Sequence, residues 1–141
     1  MKTKSGVLVA LIGVLVTSSL VLAHHGAAAF DMSKPVILKD AVIQQLVWIN
    51  PHPLIKADYT DEKGSVQHWT MEMGSIPSSQ LIGWSRTTLK PNDVVTLYVW
   101  QAKTHAPVGR FNKVILADGT TMRDTQTGAD DGGRADTDVG R

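Results

Sequence analysis

From residue 36 onward, apolar and polar positions alternate in short runs divided by proline, glycine, asparagine and aspartate. This is the pattern of strands with one buried face rather than of helices. VILKDAVIQQLVWIN, from Val36 to Asn50, is long and β-branched, and stops at Asn50-Pro51-His52-Pro53, where two prolines fix the backbone and remove two ladder donors. It reads as one long, bent strand ending in a stiff loop. LIKADYT follows, and Asp61-Glu62-Lys63-Gly64 supplies a hairpin turn into SVQHWTMEMG. In that third strand Gln67, Trp69, Met71 and Met73 share one face, while Val66, His68, Thr70 and Glu72 share the other. Trp69 marks the face expected to be buried.

Ser75 to Gly83 reads as a short helix, with serine and proline at its start and glycine at its end. The turn Leu89-Lys90-Pro91-Asn92-Asp93 feeds VVTLYVWQAK, in which Val95, Leu97 and Val99 alternate with Thr96, Tyr98 and Trp100. A loop from Thr104 to Gly109 leads to RFNKVILADGTTMR, where Asp118-Gly119 predicts a final tight turn and a short extra strand. Three strands, a short helix and two strands is the order of a small five-stranded Greek-key barrel of the OB type, an all-β fold with one helix. A sandwich or open meander is the alternative arrangement.

The amino end changes the picture. Lys2 and Lys4 precede the apolar run from Gly6 to Ala23, and Val21 and Ala23 occupy the minus-three and minus-one places of a cleavage site. This is the order of a secretory signal peptide, so the chain is expected to be periplasmic or secreted, meeting the membrane only during export. An uncleaved anchor competes, but Thr17, Ser18 and Ser19 interrupt the run and no basic cluster follows it. The expected division is a signal peptide over 1–23, an extension over 24–34, the barrel over 35–123 and a polar tail over 124–141, poor in large apolar side chains and expected to be disordered.

Composition narrows the chemistry. The chain has no cysteine, which excludes disulfides and thiolate metal sites. Removing Lys2 and Lys4 leaves 12 basic against 13 acidic residues. A nucleic-acid binder carries a basic stripe, and none is present. No nucleophile elbow, phosphate loop, dinucleotide fingerprint or zinc-protease motif occurs, and Glu72 and Asp58 form no evident carboxylate pair, so an enzyme is not expected.

His24-His25-Gly26 with Phe30-Asp31, then Trp48-Ile49-Asn50-Pro51-His52, Glu72-Met73-Gly74-Ser75, Gly83-Trp84-Ser85-Arg86 and Leu89-Lys90-Pro91-Asn92-Asp93, together resemble a family of small exported bacterial proteins classed as a domain of unknown function. The resemblance spans His24 to about Met122. It implies an exported protein with a compact β domain and brings no activity, cofactor or catalytic residue. Met71 stands where the family usually has an aromatic, and Thr104-His105-Ala106-Pro107 replaces a short glycine-containing turn, so His105 carries no role by resemblance.

Cleavage after Ala23 would leave His24 as the first residue, with its α-amine and the imidazoles of His24 and His25 within two residues. Such nitrogens suit copper or zinc, and His52 in its proline-bounded loop is the natural further ligand. His105 lies in a loop expected on the same side, and Glu72 and Met73 are lesser candidates. The competing reading makes His24 and His25 a solvated spacer, and cleavage after Ala29 would discard both. A second functional reading needs no metal: Trp48, Asn50 and Trp84 would form part of a face for a small ligand or a protein. Against it, tryptophans commonly fill small barrels, and Arg86 pairing with Glu72 would give the Gly83 to Thr88 segment a purely structural task.

Overall fold

The computed structural model describes residues 27–124. The signal peptide, His24, His25 and the tail beyond Asp124 lie outside the described residues. After a single 3-10 turn at Ala27–Ala29 come β1 (Val36–Val47), β2 (Leu54–Thr60), β3 (Val66–Glu72), α1 (Ile76–Leu81), β4 (Val94–Gln101), β5 (Val108–Ile115) and β6 (Thr121–Arg123). The sheet runs β3-β2-β1-β4-β5-β6, and a further parallel pairing of β3 with β5 closes the first five strands into a barrel. This is the expected OB-like architecture, with β6 added outside the closed ring.

β1 serves two neighbours, β2 and β4, and bends to reach both. Its register slips against β4 between Leu38 and Ala41 and against β2 between Ile43 and Gln45, and Asp40 at the first slip takes a left-handed φ of 56°. Such irregularities raise the local twist and let one strand turn a barrel corner. The strand ends at Val47, and Trp48 to Asn50 belong to the loop that follows, whose Asn50–Pro51 peptide is cis.

Local chemistry sets the remaining punctuation. Asp61 accepts the backbone N–H groups of Lys63 and Ser65, each at 2.9 Å, which fixes the hairpin between β2 and β3. Ser75 caps α1 by accepting from Ser78 N, and Gly83 just past the helix has a φ of 94°. Asp118 accepts from Thr120 N at 2.8 Å in the turn between β5 and β6.

The core follows the alternation. Val95, Leu97 and Val99 of β4 point inward, as do Trp69 and Met71 of β3. Trp84, from the segment after α1, is 2% exposed and meets Phe111 edge to face at 5.4 Å between ring centroids. Trp100 falls on the outward parity of β4 and is nonetheless buried, a departure from simple alternation.

Gly109 sits where three strands meet, opposite Gln101 on β4 and Met71 on β3. A Cβ added there would collide with the Val99 side chain and the Trp100 carbonyl. Gly109→Ala is expected to destabilise the protein by about 1–3 kcal/mol, the usual cost of overpacking a filled site, measurable as a lower urea midpoint with an unchanged slope.

Candidate functional site

Two loops and the amino-terminal segment gather around the β3–β5 seam. The segment is strapped to the end of β4 and the β4–β5 loop (102–107): Phe30 bridges Ala102, Asp31 N donates to Gln101 O at 2.8 Å, and Lys103 N donates to Ala29 O at 3.1 Å. The loop is held from within by Gln101, whose side-chain amide donates to the carbonyls of His105 and Ala106, each at 3.0 Å. His105 itself is exposed and adopts a left-handed φ of 60°. Asp31, Lys34, Gln101, Lys103 and His105 line a small polar recess of about 190 Å³.

Asp31 anchors the strap's own turn. It accepts from Ser33 Oγ at 2.5 Å and Ser33 N at 3.0 Å, and these bonds, reinforced by the nearby charges of Lys103 and His105, hold its carboxyl below the usual carboxylate range.

On the β1–β2 side, Pro53 is fully buried and its carbonyl accepts from Met73 N at 2.9 Å, so the proline-bounded loop is tied to the end of β3. Leu54 then pairs with Glu72 in the ladder. Glu72 also faces Arg110, its partner across the seam, with Nη1 at 3.8 Å from Oε1. The second carboxylate on this arginine is Asp124, whose Oδ2 lies 3.2 Å from Nη2 and whose Oδ1 accepts from Gly74 N at 2.6 Å. The Asp124 side chain is only 3% exposed. One guanidinium and one backbone N–H therefore tie the end of β6 to β5 and to the β3 exit.

The sequence-selected residues distribute as follows. His24 and His25 lie outside the described residues. His52 is half-buried in its loop, and among the described residues no group of three or more His, Asp or Glu side chains could hold a metal ion. Trp48 packs half-buried against the core and Asn50 is exposed. Trp84 is a core residue whose indole N–H donates to Arg123 O at 2.7 Å, so it joins the α1–β4 segment to β6 instead of presenting a surface. His68 is exposed as expected and pairs with Asp58 at 2.6 Å. The arginine facing Glu72 is Arg110 and not Arg86, which is exposed; the ladder, rather than the helix exit, brings the charges together. Asp58 and Glu72 do not converge, since they pair with His68 and Leu54 respectively.

Sequence reasoning passed over Arg110 and Asp124. The only signal was a charged residue inside an otherwise alternating strand, VGRFNKVI, and an aspartate directly after the last strand.

Two outcomes follow from these contacts. Asp124→Ala removes one of the two carboxylates on Arg110 and the acceptor of Gly74 N, and stability is expected to fall by about 1–3 kcal/mol in equilibrium urea unfolding, the cost of leaving a buried donor unsatisfied. Asp31 has a folded pKa below its unfolded value of about 3.9, so its contribution is complete above that value and is lost as pH falls through the lower folded value. The gap in melting temperature between the wild type and Asp31→Asn should therefore be open at neutral pH and close in strong acid.

No curated protein and no solved structure matches the chain. A family model described as a family of unknown function, DUF6152, matches residues 11–110. That span runs from the amino-terminal apolar run through the strap and both loops to Arg110, and the chain belongs to this family.

Proposed function

We propose that this is an exported, non-enzymatic binding protein, periplasmic or secreted, that holds copper or zinc at a freed amino terminus beginning with His24. The observation that carries this reading is the strap. Hydrogen bonding of Ala29 O to Lys103 N fixes the emerging chain against the loop that carries His105. His25 stands four residues before Ala29 in the sequence, so chain length allows a terminus freed at His24 to reach that loop. Asp31 and His105 share one recess there and offer an oxygen and a nitrogen as further candidate ligands. His52, in its proline-bounded loop, stays the further ligand that the sequence suggested, and His105 is an additional candidate.

Lys34 and Lys103 line the same recess and oppose a bound cation. The ion must therefore be held by several neutral nitrogens at once. Each must be deprotonated, so affinity rises with pH through the imidazole and α-amine ranges, about 6.5 and 7.7–8.0.

The test is intact mass of tag-free protein from the periplasm, coupled with metal analysis and titration. The expected result is a polypeptide starting at His24 with one copper or zinc ion per chain, lost in His24→Ala and weakened at least about tenfold in His105→Ala. A polypeptide starting at Phe30, or a melting temperature unmoved by either metal, overturns the reading.

A further inference from the structure

A second recess beside the strap has different chemistry. Ala29, Phe30, Leu54, Ala102 and Val108 give it an apolar lining, Thr70 and Thr104 add hydroxyls, and its volume is about 380 Å³. That is within the range of small-molecule sites. Val108, 42% exposed at the start of β5, is an apolar side chain open to solvent at this seam. Among the described residues, Glu72 is the one charged residue in the lining.

Arg110 is shared between two carboxylates. Asp124 holds the closer contact, at 3.2 Å against 3.8 Å, and is buried, whereas the Glu72 side chain is 44% exposed. A solvent-accessible carboxylate, held only by a long contact to Arg110, therefore stands at the wall of an apolar recess.

We propose that this groove binds a small organic cation with an apolar body, of the arylalkylammonium type. The hydrocarbon part would lie on Phe30, Leu54 and Val108, and the ammonium would donate to Glu72 with Thr70 beside it. An apolar wall strengthens such a pair relative to open water, and the apolar contact adds affinity in proportion to the area covered. The site uses neither His24 nor His25 and stands apart from the metal reading.

The probe is phenethylammonium, titrated into the mature protein while the backbone amides of Thr70, Thr104 and Val108 are followed by NMR. 2-Phenylethanol and 3-phenylpropanoate are the neutral and anionic controls. The expected result is saturable shifts at these amides, with the cation bound about tenfold more tightly than the alcohol, the preference shrinking at high salt. Glu72→Gln should abolish the preference, and Val108→Phe, which fills the groove, should weaken cation and alcohol alike; thermal melts establish that each variant is folded. Equal binding of cation and alcohol, a preference that survives Glu72→Gln, or no saturable shift at these amides overturns the proposal. If Glu72→Gln does not fold, the salt dependence and Val108→Phe decide it.

Discussion

Barrel closure rests on a short parallel seam, in which only Thr70, Met71 and Glu72 of β3 pair with Val108, Gly109 and Arg110 of β5. Everything else in the ring is antiparallel and longer. Without the seam, β3 and the first residues of β5 would present open edges, and the ring would open into a sheet. One feature compensates for its brevity: Arg110 reaches from β5 to Glu72 on β3 and to Asp124 beyond β6. Gly109 beside it lets β5 lie close to β4, where a side chain would strike Val99 and the Trp100 carbonyl. A buried ion pair of this kind is weak evidence for added stability, because desolvating the charges offsets much of their attraction. Its clearer effect here is to select a register: a guanidinium taken out of water must find its carboxylates, and only this alignment supplies them.

The seam also decides where chemistry is available. It draws the end of β3, the start of β5 and the β4–β5 loop to one place, and the strap adds Phe30 and Asp31. The outcome is two recesses beside the strap. One carries Asp31, His105 and two lysines, and the other is apolar, with Glu72 as its one charge among the described residues. A metal at the first and an organic cation at the second make separate demands, nitrogen ligands in one case and a hydrocarbon wall in the other. Sharing the strap gives them a common element, since Ala29 O is bonded to Lys103 N while Ala29 itself lines the apolar groove.

Much of the fold was legible along the chain because its determinants are local. The alternation in VVTLYVWQ placed Val95, Leu97 and Val99 inside, the Asp61 and Asp118 turns carried their own hydrogen bonds, and Ser75 and Gly83 bounded the helix. Trp69 aside, the tryptophans were not legible in the same way. An indole suits a core, a plug or a binding face equally well, and Trp84 entered the core through contacts with Phe111 and Arg123 O, far away in sequence. Arg110 and Asp124 were missed for a related reason. A charge in a strand usually points to solvent, and only the closed ring supplies the partners that make burial tolerable.

The sequence by itself determined the strands, their turns and the order that leads to an OB-like barrel, because period, proline, glycine and short-range side-chain caps act within a few residues. Tertiary structure alone decided which charges meet, that Trp84 and Trp100 are buried, and which loop the amino-terminal strap is fastened against. Those outcomes depend on how many residues the ring is sheared as it closes, and that is set by the contacts between strands taken together, not by any one of them.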